Sequence, residues 1–152
     1  MLHLMVGLPC SGKTTLAKNL EQEINALRLT PDEWQLPLFG QDLDHPDHDR
    51  RHSTIEDLMW KVAASVLVHD VPVILDYGFW AKIERDDYSE RARRLGVSTK
   101  IHFLDTPKEI LLRRLDIRNE LSNDESFHIP RDKLLEWYSV FERPDEDELR
   151  DD

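Results

Sequence analysis

Eight residues near the amino terminus, Gly7-Leu8-Pro9-Cys10-Ser11-Gly12-Lys13-Thr14, carry the spacing G-x-x-x-x-G-K-T. Glycines at both ends let the backbone fold around an anion, with N–H groups turned inward where no side chain blocks them. Lys13 would then reach the β- and γ-phosphates of a nucleoside triphosphate, and the Thr14 hydroxyl would ligate Mg²⁺. Neither lysine nor threonine is needed to build an ordinary glycine turn. Gly7, Pro9, Cys10, Ser11, Gly12, Lys13, Thr14 and Thr15 are therefore expected to hold a triphosphate, with Lys13 also serving catalysis.

Further along the chain, the apolar run Val71-Pro72-Val73-Ile74-Leu75 ends in Asp76. An apolar strand closed by an aspartate has the form of the acid that orders the hydration shell of a phosphate-bound Mg²⁺. Asp32 lies in Thr30-Pro31-Asp32-Glu33, which reads as a helix start with Thr30 as cap, Pro31 at the first position and Glu33 closing a capping box. There Asp32 either works on a substrate or compensates the helix dipole. Arg113, Arg114 and Arg118 share one helix, with Arg114 and Arg118 four residues apart on one face. They either neutralise a transferring phosphoryl group or pair with Asp116 and Glu120. Trp34, Tyr77, Phe79 and Trp80 either line an acceptor pocket or cover the sheet. Residues 41 to 52 read as a polar, solvated loop, where Arg50 and Arg51 either reach over substrate or balance nearby aspartates. His45, His48 and His52 beside Asp47 and Asp49 resemble a zinc set only loosely, since structural zinc sites usually bring cysteines.

The elements that must position these groups alternate. Leu2–Val6 is short and apolar enough to be a buried strand, and Leu16, Leu20, Ile24 and Leu27 follow at helical spacing. A second strand is expected over Ala26–Leu29, with a short helix running on to Phe39-Gly40. Ser53-Thr54-Ile55-Glu56 reads as a further capping box, opening a helix with Ile55, Leu58, Met59, Val62 and Val66 on one stripe and ending near His69. After the strand closed by Asp76, Tyr77–Trp80 is expected as a loop and Ala81–Leu95 as a charged helix with Tyr88, Ala92 and Leu95 inward, stopped at Gly96. A fourth strand covers Thr99–Leu104, and Thr106-Pro107-Lys108-Glu109 repeats the cap of Thr30. Asn119–Ile129 suits a lid. The last helix, from Pro130-Arg131, is expected to bury Leu134, Leu135, Tyr138 and Phe141 before Pro144. Strand–helix alternation of this kind predicts an α/β chain with a parallel sheet of about four strands flanked by helices, ligands binding beyond the strands' carboxyl ends.

Composition narrows the functions. The 152 residues suit one domain, expected over residues 1–143, with 144–152 as a disordered acidic tail. With 31 Asp and Glu against 20 Lys and Arg, the formal charge is −11, which disfavours a protein whose task is gripping nucleic acid. No apolar run is long enough to span a membrane. A single cysteine excludes an internal disulfide, as suits a cytoplasmic protein.

On these residues the chain resembles the compact P-loop kinases that include polynucleotide 5′-kinases, zeta-toxin kinases and chloramphenicol phosphotransferase. It is similar, more closely, to small bacterial ATP-binding proteins described as AAA-type ATPase or kinase domains, over about residues 2 to 142. The resemblance implies the P-loop NTPase fold, with Asp32 accepting the proton of an attacking hydroxyl and Asp76 attending Mg²⁺. It also implies a lid arginine in the Arg113-Arg114 region or at Arg118. Polynucleotide kinases carry an arginine for the acceptor phosphate where this chain has Gln35, a departure that disfavours a phosphorylated acceptor. No N-K-x-D guanine motif is present, so the resemblance favours ATP. The function expected is transfer of the γ-phosphate of ATP to a hydroxyl of a small molecule, with Lys13, Asp32, Arg114 and Arg118 catalytic. An ATP-hydrolysing switch and a polynucleotide 5′-hydroxyl kinase are the alternatives. The sequence does not set an oligomeric state.

Overall fold

The computed structural model describes residues 1–121 and 125–150. Four parallel strands stand in the order β2-β3-β1-β4: β1 is Leu2–Val6, β2 Leu27–Leu29, β3 Val73–Gly78 and β4 Thr99–Phe103. The expected four-strand parallel sheet is thus present. Between and after the strands run α1 (Lys13–Ile24), α2 (Pro31–Phe39), α3 (His48–Leu67), α4 (Lys82–Arg94), α5 (Lys108–Glu120), α6 (Arg131–Val140) and α7 (Glu146–Leu149).

Because strand side chains alternate between faces, β1 feeds two cores. Leu2, Leu4 and Val6 pack with Leu29, Val73 and Leu75 against Ile55, Met59 and Ala63 of α3 and Tyr88 and Ala92 of α4. Met5 and Ile74 face the other way, onto Ala17 of α1. A third cluster, Leu8, Leu36, Leu111, Leu115, Phe127, Ile129 and Leu134, ties α5 and α6 to the loop after β1. The apolar side chains of β1, Leu2, Leu4, Met5 and Val6, are wholly buried, and each contributes about 1.5–3 kcal/mol, so the strand that launches the phosphate loop is firmly held.

Several expectations change. The strand before the acid does not stop there: β3 continues through Asp76 and Tyr77 to Gly78, paired with Val6 after a register shift in β1. Thr30 stands at the N-cap of α2 with Pro31 following, as expected, but neither its hydroxyl nor that of Thr106 caps a helix. Thr30 turns its hydroxyl to Asp76, Glu33 pairs with Arg28 instead of closing a box, and Thr106 donates to the carbonyl of Ser11 at 3.2 Å. The stretch from His48 is helical, so Ser53-Thr54-Ile55-Glu56 is interior to α3 and Thr54 donates back to the Arg50 carbonyl.

The loop expected to be solvated contains a buried carboxylate, Asp42, that accepts from Gln35, His48 and Arg51. Burial opposes its charge, but those three bonds outweigh burial and hold its carboxyl below the usual range. Arg50 pairs with Asp47. On α6 only Leu134 is buried, while Leu135 and Tyr138 are exposed, and Trp137 packs toward the core in their place. Part of the expected lid, residues 122–124, lies outside the described residues, while Phe127 and Ile129 are buried.

Within the stretch expected as a disordered acidic tail, α7 is helical. Asp145 and Glu148 form a true capping box on α7, and Glu148 meets Arg85, a guanidinium only 1 % exposed, at 2.7 Å. Arg85 also donates to the carbonyls of Phe79 and Glu142. The tail therefore supplies the counter-charge for a buried arginine beneath the loop that follows β3.

Candidate active site

The residues between β1 and α1 make an open backbone cradle. Cys10 and Gly12 both take positive φ, 68° and 96°, and α1 begins at once with Lys13. Gly7 is not itself on the cavity wall. A Cβ there would stand 2.6 Å from Ser11 Oγ, so glycine permits the loop to close on itself. The Ser11 hydroxyl is buried with no partner among the described residues, a donor available to a phosphate. Lys13 forms no ion pair with a described residue and lines the cavity with Pro9, Cys10, Ser11, Gly12, Thr14 and Thr15.

Asp76 stands next to this loop because β3 pairs directly with β1. Its Oδ2 accepts from Thr14 Oγ1 at 2.7 Å and from Thr30 Oγ1 at 3.0 Å, while its Oδ1 is buried without a partner. A hydroxyl and a buried carboxylate with one oxygen orphaned form an all-oxygen donor set of the kind Mg²⁺ takes, so Thr14 and Asp76 fit that ion. Thr30, which the sequence marks only as a cap, orients that carboxylate. Arg28 donates to Thr30 Oγ1 at 2.6 Å and is itself anchored by Glu21 and Glu33.

The turn after β3 is braced against the loop. The Gly7 amide donates to the Gly78 carbonyl at 3.0 Å, and Trp80 Nε1 donates to the Gly7 carbonyl at 3.3 Å. Gly78 has φ 96°, and a Cβ on it would come 3.1 Å from that same carbonyl and 3.5 Å from Lys13 Cε. Trp80 packs against Trp137 with the rings tilted by 43°, so its ring braces the loop while also facing the cavity. Phe79 is buried and stacked on Tyr77, whose hydroxyl donates to the Glu56 carbonyl.

Opposite the loop, the cavity extends between α2, α3 and α4, for about 1820 Å³ in all. A pocket for one drug-sized ligand holds roughly 300–1,000 Å³, so there is room here for a nucleotide and a second molecule. Asp32 lines it and makes no hydrogen bond or ion pair with a described residue. Arg114 and Arg118 line the loop side. Arg114 donates to the Cys10 carbonyl at 3.1 Å, and Arg118 reaches Cys10 Sγ at 3.7 Å and the Phe127 carbonyl. Arg113 is exposed away from the cavity. The expected partner Asp116 is taken by Arg131.

Trp34 and Gln35, expected in the acceptor pocket, are not on its wall. Trp34 is exposed, and Gln35 is fully buried behind the wall, where its amide donates to Asp42 and its Oε1 accepts from His52 Nδ1 at 2.9 Å. That bond leaves His52 Nε2 facing Glu56 Oε1, 3.5 Å away. Burial lowers the His52 pKa despite the pull of Asp32. Burial, with Glu84, Asp57 and Asp32 nearby, pushes the Glu56 carboxyl up to about 8. Sequence reasoning took Glu56 for a cap, and its only signal as a site residue was helical spacing from His52.

A family model described as an AAA domain matches residues 2–144. No curated protein matches the chain by sequence. Among solved structures, Kti12 of Chaetomium thermophilum in complex with ADP-AlF3 aligns with TM-score 0.73 at 19 % identity, over 95 % of this chain and 82 % of that one. A gluconokinase from Sinorhizobium meliloti 1021 aligns with TM-score 0.65 at 17 % identity, over 93 % and 75 %. A sugar kinase from Janibacter sp. HTCC2649 aligns with TM-score 0.66 at 18 % identity, over 97 % and 81 %. At such identities the likeness is one of fold, the α/β fold of P-loop nucleotide-binding proteins. No described helix is long and apolar enough to cross a membrane.

Proposed function

Since the chain belongs to this AAA domain family, we propose that it is an ATP-dependent phosphotransferase acting on a hydroxyl of a small molecule. The observation that carries the reading is the meeting, in one cavity, of the phosphate loop and an unpaired carboxylate, Asp32. A carboxylate there can receive the proton of an acceptor hydroxyl, and the cavity leaves room for that acceptor beside a nucleotide. The gluconokinase and the sugar kinase among the structural neighbours point the same way.

In the transfer, the acceptor oxygen forms a bond to the γ-phosphorus as the bond from that phosphorus to the β–γ bridging oxygen breaks. ADP leaves with the bond's electrons, and the hydroxyl proton passes to Asp32. Little covalent work falls to the protein, and position and charge do the rest. The loop amides, Ser11 and Lys13 hold the triphosphate. Arg114 and Arg118, tethered to the loop through Cys10, neutralise charge on the moving group. Thr14 and Asp76 would hold Mg²⁺, which when bound supplies further neutralisation of the phosphate oxygens.

The test follows γ-labelled ATP with a panel of hydroxylated compounds and oligonucleotide ends, in the wild type and in Asp32→Asn. Label should pass to a small molecule, and the variant should lose about 10²–10⁴ in turnover with ATP affinity unchanged. Label released only as phosphate would replace this reading with the ATP-hydrolysing switch. Label on an oligonucleotide end would replace it with the polynucleotide kinase.

A further inference from the structure

The lysines and arginines of the cavity are confined to one side, although Asp76 and Glu125 also line it outside α2, α3 and α4. Every lysine and arginine on its described wall, Lys13, Lys18, Arg114 and Arg118, comes from the phosphate loop, α1 or α5. The opposite wall, from α2, α3 and α4, contributes Asp32, Asp49, Glu56, Asp57 and Glu84 and no lysine or arginine among the described residues. None of these five is paired with a described lysine or arginine. Glu33 and Asp87 also face the cavity there, held by Arg28 and Arg91.

Solvated acids on a surface mean little, and a negative protein has many. These acids, however, do not define the site. The phosphate loop and the buried, half-unpartnered Asp76 on the same wall already do so. What the acids add is the sign of the second ligand. A nucleotide brings its own negative charge and is met by the cationic wall, so the carboxylates are left facing whatever binds beside it. The one amide that might have softened this wall, Gln35, is locked behind it by Asp42 and His52.

Resting on the phosphotransferase reading, we infer that the acceptor is a cation: a hydroxyl compound carrying one or more amines, its ammonium groups held by carboxylates of α2, α3 and α4 while a hydroxyl is presented beside Asp32. An acid sugar or a phosphorylated acceptor would meet like charge there with nothing to offset it. The chemistry is unchanged, with the phosphoryl group passing to oxygen, the proton to Asp32 and ADP leaving. Asp49, Asp57 and Glu84 act as specificity residues. Glu56, crowded by Asp32, Asp57 and Glu84, gives up its proton when a cation arrives between them.

The test uses three compounds of one carbon skeleton and different charge: glucamine, sorbitol and gluconate. Each is titrated calorimetrically into the full chain, with and without Mg²⁺ and a non-hydrolysable ATP analogue, near pH 7. Glucamine should bind at least about tenfold tighter than gluconate and should weaken as salt is raised. Its heat should depend on the buffer, because protons are released. Asp57→Asn and Glu84→Gln should each weaken glucamine about three- to fivefold, the worth of a partly exposed charge pair, without altering the melting temperature. Glu84→Lys should shift the preference towards gluconate.

Equal binding of the three, a preference for gluconate, or no binding of any while nucleotide binds would overturn the inference. Failure of nucleotide to bind, with glucamine still preferred in its absence, would remove the phosphotransferase reading and leave the charge assignment standing.

Discussion

Replacing Asp76 with asparagine separates the two jobs a buried carboxylate can have, because structure and ion binding predict opposite outcomes. In the free protein Oδ2 accepts two hydroxyl bonds, and Oδ1, buried, accepts none. Asn keeps one carbonyl oxygen, which can turn to Thr14 and Thr30. Its NH₂ then replaces one orphaned buried group with another, and those penalties, about 1–3 kcal/mol each, offset. Hydrogen bonds to a neutral acceptor are weaker than to a charged one, a loss of about 1 kcal/mol for each of the two hydroxyls. Against this, no ion pair with a described residue supports the carboxylate, and removing an unpaired buried charge recovers several kcal/mol. Asp76→Asn should therefore leave the ligand-free protein within about 2 kcal/mol of wild type, on the stable side.

With Mg²⁺ and nucleotide the order reverses. At a ligand concentration about 100 times Kd the wild type gains about 2.7 kcal/mol. Losing a group that orders a metal site costs roughly 100-fold in affinity at the upper end. The variant's gain then falls to about 0.4 kcal/mol at the same concentration. At roughly 2–4 °C per kcal/mol for a chain of this size, the wild-type melting temperature should rise by about 5–11 °C and the variant's by under about 2 °C. Scanning calorimetry of both proteins, ligand-free, with magnesium nucleotide and with nucleotide plus chelator, reads all six states. A ligand-free variant destabilised by more than about 3 kcal/mol would show that Asp76 is chiefly structural, and an undiminished magnesium-dependent shift would remove it from the metal site.

Two other perturbations test the frame around the site. Glu148→Gln removes the counter-charge from Arg85, only 1 % exposed, and should cost about 3–5 kcal/mol in urea unfolding; a loss under about 1 kcal/mol would mean that α7 merely rests on the surface. His3, buried on β1 against His102, has its pKa lowered from 6.5 to about 4 by burial and then by that neighbour. The folded state thus binds fewer protons than the unfolded one in this window, so stability rises with pH from about 4 to 6.5, by up to about 3 kcal/mol. A His3→Val chain should lose that slope while keeping the rest of its acid sensitivity; unchanged slopes in both chains would place the titration elsewhere.

The sequence makes the phosphate loop legible because its residues act through backbone geometry fixed over eight consecutive positions, and β1 and α1 flank it in register. Asp76 is legible for a similar local reason, an apolar run broken by one acid, although that run is only the front of a strand reaching Gly78. Contacts distant in sequence do not share this legibility. Thr30 has the local signature of a cap, but a buried carboxylate 46 residues away is the stronger acceptor for its hydroxyl. The tail is acidic enough to pass for disorder until Arg85 is found to need a partner 63 residues on. Glu56 is the sharpest case, since a capping-box pattern and a wall position in α3 place the same residue type at the same number. What distinguishes them is Asp32, Asp57 and Glu84 around it, brought together by three different helices. A chain's motif can thus announce that a phosphate is held, because one segment does the holding. On the proposed reading, the molecule that receives it would be chosen by a wall assembled from α2, α3 and α4, and a net charge of −11 does not by itself show where the acids gather.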